Sequence, residues 1–296
     1  MKIFKPKRLI TYSLFQSKHT RNYRVWDDHV HELNRYWYNI PAIIVYNSVL
    51  YPDAQTKFFV DTHTINHELF SILDSDFVTI EHIEDDFYNT EPSIWRMKPL
   101  WDDEVDCFFP RDVDSVPTKM EYAYTRYFIE STNYGFMTLR SHENHHHEEG
   151  CDILAGLCGF RKSNLDQYPE TYTEYFSKRN NGSWSMDQGL LLDTFLKHNS
   201  EKLKTIFLDA PIEKQSRKSF YPCAVAKQDS IQMIIDDLTE EQKYLLDLNY
   251  HICSWSGEPV DYRKKYLLEM FKLENDVSMR VKEKIEQNDN LKRFYL

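Results

Sequence analysis

Short apolar runs alternate with segments of helical periodicity along most of this chain. The runs that predict strands are 9–15, 56–61, 77–83, 105–109, 135–139 and 205–208. Apolar residues at helical spacing predict helices over 23–50, with a break at Pro41, and over 65–73, 118–131 and 184–196. The polar segment 163–175 is predicted to be part loop and part helix. Because strands that alternate with helices are typical of a parallel, Rossmann-like sheet, we predict an α/β fold.

The pattern changes near residue 228. From Ser230 onward the chain is rich in Leu, Glu and Lys at helical spacing. We therefore predict an α/β domain over 1–228 and a helical C-terminal subdomain or extension, packed on it, over 229–296. No internal repeat or low-complexity block occurs in the chain.

Composition narrows the class of protein. With 296 residues and 41% hydrophobic content the chain can bury a sizeable core, and its net charge of −11 disfavours nucleic acid as a partner. No apolar run is long enough to cross a bilayer, so we expect a soluble, cytoplasmic protein with no transmembrane segment. The five cysteines are odd in number and dispersed, which is typical of reduced thiols.

The most informative stretch is the acidic sequence that follows the apolar run 105–109. If the backbone stays extended, Asp112 and Asp114 point to the same side and can bind one divalent cation through oxygen ligands. A solvated turn is the alternative interpretation, because Asp-x-Asp is short and this chain is rich in aspartate. The position of the two aspartates after a predicted strand favours a binding site, because ligands bind at the carboxyl ends of strands in open α/β sheets.

A second motif competes with this interpretation. His142, Glu143 and His146 match His-Glu-x-x-His, which on a helix binds zinc in metalloproteases. The context argues against a zinc hydrolase, because the stretch follows a predicted strand, is polar on every side and runs into Gly150. A solvated histidine-rich loop is the simpler explanation for His146 and His147.

The ordered set of motifs resembles GT-A glycosyltransferases, in particular the small sugar transferases of large DNA viruses and of bacterial polysaccharide loci. The resemblance covers about 9–196. It is carried by Arg111-Asp112-Val113-Asp114-Ser115 with Glu121, by Arg140-x-His142-x-x-His145, by Ile153-Leu154-Ala155-Gly156-x-x-Gly159, and by Asp187-Gln188.

The resemblance implies a GT-A fold and a metal-dependent glycosyltransferase. Such an enzyme would move a hexose or related sugar from a nucleotide-sugar, which we expect to be a UDP-sugar, to a hydroxyl of a glycan or glycoprotein acceptor. Mn²⁺ or Mg²⁺ would be the metal, and a viral chain would act in the host cytoplasm. The catalytic domain would then be 1–228.

The resemblance also implies roles for individual residues. Asp112 and Asp114 would hold the metal, with His251 as a loosely matched third ligand. Asp187 and Gln188 would face the anomeric carbon, and Tyr12 would stack on the base. The donor-binding residues would be Thr11, Tyr12, Ser13, Arg96, Arg111, Asp112, Val113, Asp114, Arg140, His142 and Gly156.

Two positions depart from the family's pattern. The family often has Asp at the position of Ser141 and Trp at the position of Cys158, and both positions would lie near the sugar. These departures leave the donor sugar open and keep a third hypothesis, a catalytically inactive nucleotide-sugar binding protein. The sequence does not separate inversion by Asp187 as general base from retention, and it does not give the oligomeric state.

Overall fold

The computed structural model describes residues 7–15, 30–65, 77–84, 92–113, 115–131, 133–139, 155–165, 191, 206–208, 224–248, 265 and 267–296. Side chains are described within these ranges except for 30–38, 63, 206–208 and 224–225. The predicted helices 65–73 and 184–196 and the predicted loop and helix 163–175 lie almost wholly outside the described residues.

The strands confirm a mixed α/β fold. Their bounds are β1 Lys7–Leu14, β2 Gln55–Val60, β3 Val78–His82, β4 Val105–Pro110, β5 Phe136–Thr138, β6 Cys158–Arg161, β7 Ile206–Leu208 and β8 Ala224–Val225. Each of the six predicted strands is present within one or two residues of its predicted limits. The strands β6 and β8 were not predicted.

The helices are α1 Val30–Leu50, α2 Thr62–Ile65, α3 Lys119–Glu130, α4 Gln228–Asp236, α5 Glu240–Asp247, α6 Asp276–Glu286 and α7 Asp289–Tyr295. Short 3-10 helices span Pro92–Trp101, Ala155–Leu157 and Lys162–Asn164. The helices α4 to α7 agree with the helical character predicted for the C-terminal region. Among the described residues, no helix is both long enough and apolar enough to cross a membrane.

The predicted break at Pro41 is wrong, because α1 runs through it. Proline removes one backbone hydrogen bond from a helix interior. Here the surrounding turns are buried on several sides, and Ile40, Ala42 and Ile43 are at most 1% exposed. Burial of these apolar side chains offsets the missing hydrogen bond.

The chain divides into two compact units. The first comprises the described residues of Met1–Thr11, Tyr88–Arg111 and Met120–Asp237, and the second those of Tyr12–Phe87, Asp112–Lys119 and Leu238–Leu296. The predicted domain boundary at residue 228 stays a prediction. The helices α5 to α7, which lie in the predicted C-terminal subdomain, belong to the second unit.

The first unit contains a mostly parallel sheet in the order β1-β4-β6-β5-β7-β8, to which β1 contributes its first half. The strand β1 is parallel to β4, β6 is antiparallel to both β4 and β5, and β5, β7 and β8 are parallel. The carboxyl ends of β1, β4, β5, β7 and β8 therefore lie at one edge, where a ligand is expected.

Aromatic packing forms the core of this unit. The Phe160 ring lies 4.8 Å from the Phe108 ring and 5.0 Å from the Phe136 ring, measured between centroids. A Cβ atom on Gly159 would lie 2.7 Å from the side chains of Met137 and Phe109. Core side chains therefore approach this glycine so closely that a larger residue would not fit. Of the cysteines, Cys107 and Cys158 are buried free thiols, as predicted.

The second unit is built around α1. The strands β2 and β3 are parallel, with Thr56 opposite Val78 and Val60 opposite His82. The Tyr46 hydroxyl, on α1, donates a hydrogen bond to the Leu245 carbonyl, on α5, at 2.7 Å. This hydrogen bond connects α5 to α1. The helices α5 and α6 both pack on α1.

Candidate functional site

The predicted site residues fall into three groups. Thr11, Arg96, Arg111 and Gly156 lie in the first unit, and Tyr12, Ser13, Asp112 and Val113 lie in the second. Asp114, Arg140, His142, Asp187, Gln188 and His251 lie outside the described residues. The structure therefore describes part of the predicted site.

At the carboxyl edge of the first unit, Thr11 and Arg96 hold the ends of neighbouring strands. The Thr11 hydroxyl donates to the Arg96 carbonyl at 2.8 Å, and Thr11 itself is fully buried. The Arg96 guanidinium donates through Nη1 to the Arg111 carbonyl at 2.9 Å. Arg96 is only 7% exposed, so its charge lies beneath this edge.

Arg111 joins three elements at the same edge. Its Nη1 donates to the carbonyls of Pro110 at 2.8 Å and Cys158 at 2.6 Å, and its Nη2 to the Thr125 hydroxyl on α3 at 3.3 Å. Hydrogen bonds from a charged donor are about twice as strong as neutral ones. Arg111 therefore fixes the end of β4 to β6 and α3, directly before Asp112 in the chain.

Gly156 is buried in the 3-10 turn before β6. The amide of Leu139, after β5, donates to the carbonyl of Leu157, next to this glycine, at 2.9 Å. The described contact next to Gly156 is thus a backbone hydrogen bond between the residues that flank β5 and β6. Its predicted contact with the donor stays a prediction.

In the second unit Ser115 makes hydrogen bonds back to Asp112. The Ser115 amide and the Ser115 hydroxyl both lie 3.3 Å from the Asp112 carbonyl oxygen, to which they donate. The strand β4 ends at Pro110, and the hydrogen bonds from Ser115 bring the chain back to Asp112, so Asp112 does not lie in the extended strand end that was predicted. An i to i+3 hydrogen bond defines a β-turn instead, and a cation would have to bind the turn form.

Two buried side chains and one hydrogen bond anchor this turn. Val113 and Val116 are 5% and 7% exposed, whereas Asp112 is half-buried. The Asn39 side chain on α1 donates through Nδ2 to the Val113 carbonyl at 3.1 Å. The turn is therefore anchored through both valine side chains and through the Val113 backbone.

Tyr12 is packed as a core residue. Its ring lies 5.1 Å from the Phe58 ring in a stacked arrangement, its hydroxyl accepts from Asn47 at 3.1 Å, and it is 2% exposed. A base cannot stack on a ring that is already covered, so the predicted stacking does not fit this packing and we remove Tyr12 from the proposed site. Ser13, the next residue, is half-buried.

The donor atoms at the turn fit a hard divalent cation. Mg²⁺ and Mn²⁺ prefer oxygen ligands such as carboxylates. Asp112 supplies a half-buried carboxylate at the start of the anchored turn. Within the described ranges, no three or more His, Cys, Asp or Glu side chains are grouped so as to hold a metal by themselves. A complete ligand set would need Asp114 or His251 from outside those ranges, or ligands supplied by the substrate.

Sequence reasoning missed two residues that shape these places, Asn39 and Thr125. Both are polar and at most 1% exposed, and both lie on helices whose described buried side chains are mostly apolar. A polar residue on the buried face of an amphipathic helix is the signal that could have identified them, because such a group needs a specific partner.

Comparison with known proteins adds no relative. Models of known protein families give no match to the chain, and no curated protein matches it either.

Proposed function

We propose that this protein is a metal-dependent glycosyltransferase with a GT-A fold. It would transfer a hexose or related sugar from a nucleotide-sugar, preferably a UDP-sugar, to a hydroxyl of a glycan or glycoprotein acceptor. The observation that carries the proposal is the position of Asp112. It begins an anchored turn directly after the carboxyl end of β4, in a mostly parallel sheet whose strand ends are the expected place for a ligand.

Charge around the end of β4 supports the same proposal. Two guanidinium groups, those of Arg96 and Arg111, lie at or beneath the carboxyl edge of the first unit. Both donate to backbone carbonyls, so they act as fixed positive charges rather than as flexible side chains. Fixed cations stabilise a leaving group that gains negative charge, because they need no reorganisation during the reaction.

The chemistry assigned to the chain's own residues follows from these positions. Asp112 and Asp114 would hold Mn²⁺ or Mg²⁺, which when bound acts as a Lewis acid on the donor diphosphate. Arg111 fixes the end of β4 to β6 and α3, and Asp112 follows it directly in the chain. Asp187 would accept the proton of the acceptor hydroxyl if the reaction inverts configuration.

A panel of nucleotide sugars tests the proposal through thermal stability. The full chain is melted with each compound, with and without Mn²⁺, and we expect one UDP-sugar to raise the melting temperature only with the metal. A ligand at about 100 times its Kd stabilises a protein by about 2.7 kcal/mol, which is readily measured. Release of UDP in the presence of candidate acceptors then measures turnover.

Two variants and one control locate the binding. Asp112→Asn and Asp114→Asn should each abolish the metal-dependent stabilisation and sugar transfer while the protein stays folded. Asp53→Asn, at an exposed aspartate in the turn before β2, should change neither. Stoichiometric zinc lost on His142→Ala would instead favour the hydrolase, and binding without turnover would favour an inactive binding protein.

A further inference from the structure

A buried threonine on α3 is one of the groups that hold the Arg111 guanidinium. Thr125 is 1% exposed, and its hydroxyl accepts a hydrogen bond from Arg111 Nη2 at 3.3 Å. A buried hydroxyl is destabilising unless it has a hydrogen-bond partner. A valine of the same shape would pack on the mostly apolar buried side of α3 without that requirement. The contact with Arg111 therefore explains why this position carries a polar side chain.

Arg111 has donors that its described contacts do not use. An arginine side chain carries five N–H donors in a planar fork. Nη1 donates to the carbonyls of Pro110 and Cys158, and Nη2 donates to Thr125, which together use three donors. The Nε–H and the second N–H of Nη2 have no partner among the described residues. Two such donors match two oxygen atoms of one phosphate or carboxylate group.

Two further guanidinium groups in the first unit are more fully shielded from solvent. Arg96 and Arg161 are each 7% exposed, whereas Arg111 is half-buried. Arg161 donates to carbonyls at the end of α3, and Arg96 donates to the Arg111 carbonyl. Of these three cations, Arg111 is therefore the one best placed to contact a ligand at the carboxyl edge.

The contact with Thr125 restricts the orientation of the Arg111 guanidinium. Both carbonyl contacts act on Nη1, so together they hold one corner of the planar group. The Thr125 hydroxyl acts on Nη2 and holds a second corner. A planar group that is held at two corners cannot pivot about the first. Among the described hydrogen bonds, the one to Thr125 therefore sets the direction of the two remaining N–H groups.

We propose that Thr125 is a positioning residue for the nucleotide-sugar donor. It orients Arg111 so that the two remaining N–H groups bind one oxyanion, a phosphate group of the donor diphosphate. This inference rests on the proposed function, because it assigns a phosphate contact of the same donor. It does not depend on which residues hold the metal.

Two substitutions at Thr125 separate the hydrogen bond from the packing. Thr125→Val removes the acceptor and keeps the shape, whereas Thr125→Ser keeps the acceptor and removes a methyl group. Tyr124→Phe is the matched control, because it removes a neighbouring buried hydroxyl on α3 that accepts from Gln228 at 3.4 Å. Titration calorimetry of the full chain measures UDP affinity with Mn²⁺ present, and urea denaturation measures stability in parallel.

We expect Thr125→Val to bind UDP about 3-fold to 10-fold more weakly than the wild type, within the range for loss of one net hydrogen bond. Arg111→Lys should weaken UDP binding about 10-fold, because one ammonium group cannot reproduce the planar fork. Thr125→Ser and Tyr124→Phe should bind UDP within about twofold of wild type, because neither removes the contact with Arg111. Thr125→Ser should nevertheless lower stability, since it removes a buried methyl group.

UDP affinity that either Thr125→Val or Arg111→Lys leaves unchanged would overturn the inference alone. An equal loss of affinity in Thr125→Val and Thr125→Ser would also overturn it, because packing and not the acceptor would then be the cause. Thr125→Ala takes the place of Thr125→Val, with the same expected result, if the valine variant does not fold. A wild-type protein that binds no UDP would overturn the proposed function and this inference together.

Discussion

Replacing Arg161 by methionine should be one of the most destabilising single changes in the first unit. Arg161 lies in β6 and is 7% exposed. Its guanidinium donates to the carbonyls of Phe128 and Ile129 at 2.9 Å each and to the carbonyl of Ser131. These carbonyls lie at the end of α3, where a helix leaves its last carbonyls without partners.

The expected loss follows from those three hydrogen bonds. A hydrogen bond to a charged group contributes about 1.5 to 3 kcal/mol, and buried acceptors left without donors add to the loss. The contributions are not additive, because carbonyls at a helix end can bind water again once the guanidinium is gone. We therefore expect Arg161→Met to lower the free energy of unfolding by about 3 to 5 kcal/mol, the range for breaking a buried charged contact.

Urea denaturation followed by far-ultraviolet circular dichroism measures this free energy. Arg161→Lys should recover only part of the loss, because one ammonium group cannot reproduce the planar set of donors. Arg126→Met is the control, since Arg126 pairs on the surface of α3 with Glu130 at 3.2 Å and should cost less than about 1 kcal/mol. A loss below about 1 kcal/mol for Arg161→Met would refute the view that this side chain caps α3.

Two further predictions concern Tyr12 and Lys162. Tyr12→Leu should cost about 1 to 3 kcal/mol of stability, because it removes the stack on Phe58, yet leave UDP affinity of the folded protein within about twofold of wild type. A tenfold weaker UDP affinity in a binding titration would show that the base does stack there. Burial lowers the pKa of the Lys162 ammonium, although nearby aspartates act in the opposite direction. The unfolded chain then binds more protons, so stability should rise with pH from the folded-state pKa toward the ordinary lysine value. Lys162→Met should flatten that rise in urea denaturation at pH values just below the ordinary lysine pKa of about 10.4, and an unchanged slope would contradict it.

Strand positions could be predicted because each strand has a run of apolar or β-branched residues of its own. The run 105–109 and the strand Val105–Pro110 differ by one residue. Such runs bury side chains on both faces of the sheet, and this requirement is local to the sequence. The direction of each strand is not local, and the antiparallel β6 depends on the turn that precedes it.

Much of the candidate site depends on tertiary contacts that the sequence does not reveal. Arg96 and Arg111 were predicted to bind the donor, yet their described hydrogen bonds are to backbone carbonyls and to Thr125. Tyr12 was assigned to a base by its position at the end of the first strand, but Phe58 on β2 stacks on its ring. The turn at Asp112 could not be distinguished from an extended strand end, because its hydrogen bond from Ser115 is compatible with many sequences.

The most direct test of the central claim is an anomalous-scattering map of a crystal soaked with UDP and Mn²⁺. The proposed function predicts a manganese peak within about 2.3 Å of an Asp112 carboxylate oxygen, with the UDP diphosphate on the same ion. It also predicts that this peak is lost in Asp112→Asn crystals soaked in the same way. A turn with no bound manganese, or manganese and UDP bound together at a place that does not include Asp112, would contradict the claim.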